Sequence, residues 1–122
     1  MKFSESHEWV QVEGDFAIVG ITDHAQHELG DIVFVELPQV GKEVKKGMEV
    51  AVLESTKAAS DVYTPVSGEI IEVNQNVKET PELINEFPEN KGWLFKIKLQ
   101  DPKELTTLMD ASAYKEMLHG RL

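Results

Sequence analysis

The sequence predicts a mainly β fold: a flattened β-barrel/sandwich hybrid of short strands, with a short helix near residues 22–29 and C-terminal helices. Three observations carry that reading. Short runs rich in Val, Ile, Phe and Trp recur along the first hundred residues. Glycine, proline and Asp/Asn turn signals stand between most of these runs. After Asp101-Pro102 the apolar spacing changes from strand-like to helix-like. Many short strands followed by helices make a packed β unit with helices added at its end.

Residues 9–12 and 16–19 are strand candidates joined by Glu13-Gly14-Asp15, a tight-turn sequence. Thr22-Asp23 offers an N-cap for a short helix through Leu29, and Gly30 is placed to end it. Residues 32–37 form a β-rich run stopped by Pro38, and residues 41–47 read as a loop with Val44 turned inward. Two strand-like stretches follow, residues 48–53 and 62–66, and between them lies Lys57. Residues 65–68 make a turn into another strand over 69–73. Residues 74–90 are polar and carry Pro81 and Pro88, so they read as loop with one helical turn near Leu83-Ile84. Residues 93–99 end with period-two alternation, a half-exposed strand that closes the β part. Leu105, Leu108 and Met109, then Tyr114, Met117 and Leu118, recur at helical spacing. One domain is expected over residues 1–122, with a core at about 15–98 and a helical segment at about 102–119.

Composition narrows the functional classes. The chain has 122 residues, 41% hydrophobic and 28% charged, ordinary for a soluble globular protein. A formal charge of −10 argues against nonspecific binding to nucleic acid or an anionic membrane, both of which want a basic patch. There is no cysteine, which excludes disulfides, a cysteine nucleophile and thiolate metal sites. Any thiol chemistry must arrive on a cofactor. The N-terminal residues lack the apolar core of a signal peptide, and no apolar run approaches the ~20 residues that span a bilayer. A cytoplasmic monomer is expected.

Lys57 is the residue on which function turns. Gly47 stands ten residues before it and Gly68 eleven after, so the flanking strands read as a hairpin with a lysine at its tip. A lysine held out on a rigid turn suits covalent attachment of a cofactor and makes a poor general base. Other constellations are weak. His24 and His27 could share a helix face, but two ligands do not make a metal site and no third follows at ligand spacing, so no metal is expected. No zincin motif, G-x-S-x-G elbow, P-loop or dinucleotide fingerprint occurs, which argues against an enzyme.

The run Glu54-Ser55-Thr56-Lys57-Ala58, followed by Pro65-Val66-Ser67-Gly68-Glu69, resembles the biotinyl/lipoyl attachment domains. Biotin domains usually flank the target lysine with methionines; Thr56 and Ala58 stand here, so lipoyl is the better match. Ser6-His7-Glu8-Trp9-Val10, Gly20-Ile21-Thr22-Asp23-His24-Ala25-Gln26, the stretch from Leu29 to Pro38 and Ser60-Asp61-Val62-Tyr63-Thr64-Pro65 resemble the H proteins of the glycine cleavage system. Leu83-Ile84-Asn85 and Gly92-Trp93-Leu94 extend the resemblance, collinear over nearly the whole chain.

The resemblance implies a non-catalytic carrier with lipoate amide-linked to Lys57. Its implied partners are a pyridoxal-phosphate glycine decarboxylase, a tetrahydrofolate-dependent aminomethyltransferase and dihydrolipoamide dehydrogenase. A lipoate ligase or octanoyl/lipoyl transferase would attach the cofactor. Glu8 and Asp61 match acidic positions beside the docked arm, Ile21 and Leu29 could wall the same cleft, and Glu54 could be a recognition charge. The alternative for Glu8 is a solvent-facing strand start, and for Ile21 and Leu29 plain core. Glu28 stands where the family often has a histidine, with His27 one place earlier. An alternative function is a relay that donates lipoyl groups to 2-oxoacid dehydrogenase subunits through the same lysine.

Overall fold

The structure is a computed structural model that describes residues 1–120. The chain opens with β1 (Lys2–Phe3), β2 (Glu8–Glu13) and β3 (Phe16–Ile21), then α1 (Asp23–Leu29) and β4 (Ile32–Glu36). Next come β5 (Glu43–Val44), β6 (Glu49–Ser55), β7 (Ala59–Tyr63) and β8 (Gly68–Val73). Two short helices, α2 (Gln75–Glu79) and α3 (Glu82–Glu86), lead to β9 (Phe95–Leu99). A 3-10 turn (Pro102–Thr107) and α4 (Ala111–Leu118) follow. The strands make two antiparallel sheets that do not close on each other: a six-stranded sheet ordered β1-β2-β3-β9-β8-β5, and a three-stranded sheet ordered β4-β6-β7.

Alternation along these strands builds the core between the sheets. Val10, Val19, Phe95, Ile97 and Ile70 from the larger sheet and Ile32, Val35, Leu53 and Val62 from the smaller one are all buried. Each such side chain contributes about 1.5–3 kcal/mol by leaving water. Close approach dictates two glycines. A Cβ at Gly68 would lie 1.9 Å from the Lys98 carbonyl oxygen, and one at Gly20 would lie 2.8 Å from the Trp9 ring. Trp9 is thereby free to run its indole N–H to the Pro88 carbonyl, 2.9 Å away. A second apolar cluster of Phe3, Trp9 and Tyr114 seats α4, with Met109, Met117 and Leu118 packed against it.

The sequence expectations hold for most elements. Thr22 caps α1 by accepting the Ala25 amide, and Gly30 ends it at φ 83°, a left-handed conformation that a Cβ would strain. Val44 is buried, although residues 43–44 form a short strand against β8 rather than loop. Three features differ. The β6–β7 strands run closer to Lys57 than residues 48–53 and 62–66 suggest, so the turn is tighter. The 74–90 segment carries two helices where one turn was expected; Asn74 caps α2 by accepting the Asn76 amide. The residues around Leu105 form a 3-10 turn, and Met109 leaves it to bridge Phe3 through paired backbone hydrogen bonds of 2.8 Å. The six-stranded sheet reaches outside residues 15–98, through β1 and β2.

Candidate functional site: a clamped lysine turn beside an acidic cleft

The β6–β7 hairpin carries Lys57 beyond the Glu54↔Ala59 pair. Ser55 clamps the turn. Its amide donates to the Ala58 carbonyl at 2.9 Å. Its hydroxyl oxygen accepts the Lys57 amide at 3.1 Å and the Ala58 amide at 3.2 Å, while its proton goes to the Ala58 carbonyl at 3.1 Å. A serine side chain thus supplies the turn hydrogen bonds that the backbone alone leaves unmade. Thr56 then pins the turn to the start of β4 by donating its amide to the Asp31 carbonyl at 3.0 Å. The backbone is held and the Lys57 side chain is exposed, its stem lying along Gly30. A Cβ at position 30 would come within 3.3 Å of the Lys57 Cε.

Beside this hairpin lies a cleft of about 180 Å³. Ile21, Leu29, Leu53 and Val62 give it apolar walls, and Glu8, Glu28 and Asp61 give it carboxylates. Four of the residues singled out in the sequence, Glu8, Ile21, Leu29 and Asp61, therefore share one cavity. Ile21 is both core and wall. Glu54 is exposed on β6 opposite Phe34 and is not part of the cleft. A larger cleft of about 430 Å³ lies between β1 and the C-terminal segment; it shares Ser6 and Glu8 with the first but is not bordered by Asp61.

Glu8 is not a solvent-facing strand start. It is 2% exposed. One carboxylate oxygen accepts the Ser4 hydroxyl at 2.6 Å and the Ser6 hydroxyl at 2.5 Å, and the other accepts the Tyr63 amide at 3.4 Å. Burial pushes its pKa above the ordinary 4.5, and those hydrogen bonds pull it partly back. A buried carboxylate of this kind favours a cationic visitor, which would offset the cost of keeping it charged.

Next to Glu8 the cleft is lined by an unusual residue. His7 is the one non-glycine among the described residues with positive φ, 72°. Its Nδ1 lies 2.8 Å from the Tyr114 hydroxyl, which lies 2.7 Å from the Thr22 hydroxyl at the cap of α1. Burial and the neighbouring His24 lower the His7 pKa below 6.5, against an opposing pull from Glu28. Glu28 itself sits 3.5 Å from His24 Nε2, and His27 pairs instead with Asp23 at 3.4 Å. Among the described residues no three His, Asp or Glu side chains converge as metal ligands. Sequence reasoning missed Ser55 as the turn clamp, Ser4 and Ser6 as the Glu8 cage, and Tyr114 as the link to the cleft. The spacing Ser4-x-Ser6-x-Glu8 was the only local signal.

With this geometry in place, the comparisons with known proteins are unambiguous. The family model for the glycine cleavage H-protein matches residues 1–121. A glycine cleavage system H protein of Parvibaculum lavamentivorans is 55% identical over 120 residues, 98% of this chain and 96% of that one. One from Caulobacter vibrioides is 58% identical over 118 residues, covering 97% and 98%. The crystal structure of a glycine cleavage system H protein from Mycobacterium marinum superposes with a TM-score of 0.89 at 36% identity, over 97% of this chain and 95% of that one. A match that runs the length of the chain in both sequence and fold has one conclusion: the chain belongs to the glycine cleavage H-protein family.

Proposed function

We propose that this chain, acting as a single unit over residues 1–122, is a non-catalytic carrier that holds lipoate in amide linkage on Lys57 Nζ and serves the glycine cleavage system in the cytoplasm. The observation that carries this reading is the exposed Lys57 on a turn clamped by Ser55, in a chain of this family. The bound dithiolane would supply a redox-active pair of sulfurs and the point at which an aminomethyl unit is carried from glycine decarboxylase to aminomethyltransferase. Dihydrolipoamide dehydrogenase would return the pair to the disulfide.

The residues present fit such a group. Acylation removes the Lys57 charge and adds an apolar arm, and the neighbouring cleft offers apolar walls at Ile21 and Leu29. Glu8 and Asp61 give the cleft negative charge where a carried amine, cationic near neutral pH, would come to rest. Such walls would shield a labile unit from water. The absence of cysteine removes any protein thiol that could exchange with the dithiolane.

Intact-mass measurement after expression with an active lipoate ligase or octanoyl/lipoyl transferase system tests the attachment. An increment of one lipoyl group, lost in Lys57→Ala, is expected; a biotin increment, or none, overturns the reading. Reconstitution of the modified chain with the three enzymes then tests the shuttle. Turnover there, without transfer of lipoyl groups onto 2-oxoacid dehydrogenase subunits, separates the carrier from the relay.

A further inference from the structure

We infer that Val33 and Phe34 form the docking surface for the enzyme that acylates Lys57, an inference that rests on the carrier reading above. In a regular half-buried strand, consecutive side chains face opposite sides. Here both are exposed, Val33 at 57% and Phe34 at 50%. The cause is a bulge: the β4–β6 register shifts between Ile32 and Phe34, leaving Val33 outside the ladder. Bulges re-aim side chains, and this one turns two apolar groups outward at the edge of the sheet.

The patch is registered to Lys57. Ile32 pairs with Ser55, the clamp of the turn, and Asp31 accepts the Thr56 amide. Val33 and Phe34 therefore sit within roughly 7 Å along the strand from the base of the turn. An enzyme acting on Nζ must bring its own active site to bonding distance of the turn, so its contacts fall on the surface around it. Enzymes that meet the far end of a long arm have no such requirement.

The rim defines the partner's chemistry. Phe34 stands opposite Glu54, Glu36 lies two residues on along β4, and Asp31 precedes the bulge; all three acids are exposed. An apolar step edged by carboxylates, on a chain of charge −10, fits an apolar recess edged by Lys or Arg. The Glu54 position, outside the arm cleft, thereby becomes part of the rim.

The test uses the full chain with purified lipoate ligase, ATP and lipoate, followed by intact mass. Threonine keeps strand preference at exposed positions, so Val33→Thr/Phe34→Thr should fold, as a melting curve checks. We expect its acylation kcat/KM to fall at least about tenfold, while a control pair at other exposed apolar positions, Val40→Thr/Ile71→Thr, stays within about twofold. Prolonged incubation would load the variant fully, and the loaded form should serve the glycine cleavage enzymes like wild type. Equal acylation rates overturn the inference and leave the carrier reading intact. A defect confined to the loaded form's later partners also overturns it, assigning the patch to one of them. No acylation of wild type removes both.

Discussion

Tyr114→Phe is the sharpest probe of how the C-terminal helix supports the cleft. The substitution keeps the ring, and with it the stack on Phe3 at 4.8 Å and 9°. It deletes only the hydroxyl that joins His7 Nδ1 at 2.8 Å to Thr22 Oγ1 at 2.7 Å. Burial holds the Tyr114 phenol above its ordinary range, so the proton that the chain of hydrogen bonds needs is present throughout the neutral range. Two neutral hydrogen bonds are lost, each worth about 0.5–1.5 kcal/mol net, which gives about 1–3 kcal/mol. Thr22 keeps its bond from the Ala25 amide, so α1 stays capped and the loss should not exceed that range. At about 4 °C per kcal/mol for a chain of this length, the melting temperature falls by roughly 4–12 °C.

The location of the change matters more than its size. His7 holds φ 72° against a strain of about 1–3 kcal/mol, and its ring's anchor is the Tyr114 hydroxyl. Backbone hydrogen bonds to Ser4 and Thr22 still hold the His7 backbone, but its ring loses its anchor, and amide shifts should appear at Ser6, His7, Ala25 and Leu29 around the cleft as well as in α4. Urea unfolding gives the energy, and amide NMR spectra give the location. A loss below about 0.5 kcal/mol, or shifts confined to residues 111–118, would refute the idea that α4 shapes the cleft.

The remaining predictions concern the sheet, the turn and the buried acid. Gly68→Ala drives a Cβ to 1.9 Å from a backbone carbonyl that cannot move without opening the β8–β9 ladder, so a loss above about 3 kcal/mol is expected; a melting point near wild type would contradict the register. Ser55→Ala removes the turn clamp at a cost of about 1 kcal/mol, yet should slow lipoate attachment several-fold, with Ser55→Thr restoring the rate; unchanged mass kinetics would separate attachment from turn geometry. Burial raises Glu8 above 4.5, so the folded chain holds that proton more tightly, and its contribution to stability is full below pH 4.5 and fades as pH rises through the raised value. His7 is lowered below 6.5, so its contribution is full above pH 6.5 and fades as pH falls toward the lowered value. The two oppose each other in between, and Glu8→Gln should leave stability rising more steeply with pH there; urea midpoints with an unaltered slope would count against the burial argument.

The sequence made the β class and most strands legible because local rules govern them: alternation, glycine turns, and an N-cap at Thr22 closed by Gly30. It did not reveal β1, whose two residues pair with β2 and are fixed on the other side by the bridge from Phe3 to Met109, a partner distant along the chain. The same reason hid α2, since Val77 is a helix residue by virtue of its burial under the sheet rather than by any periodic pattern. At the site, Lys57 stood out because its hairpin is local. Glu8 did not look buried, because its cage joins Ser4 and Ser6 with a Tyr63 amide from another sheet. Tyr114 read as core for the same cause: its ring obeys helical spacing, while its hydroxyl acts across the chain.

Taken together, these contacts keep the fixed and the movable parts of the proposed carrier separate. The turn is fixed by Ser55 and Asp31, the buried carboxylate by Ser4, Ser6 and Tyr63, and the His7 ring by Tyr114 and Thr22. No hydrogen-bond partner is common to the turn set and the cleft sets. The two remain joined through the β6–β7 hairpin, which supplies Leu53, Asp61 and Val62 to the cleft and carries Lys57 at its tip, so the turn is held in a fixed position relative to the cleft. Preorganisation of this kind places the energetic cost of the buried Glu8 charge in the folding of the protein rather than in the docking of its cargo. A cationic cargo arriving at the cleft then meets a carboxylate already desolvated and oriented, and its charge would draw the Glu8 pKa back down against the rise that burial causes.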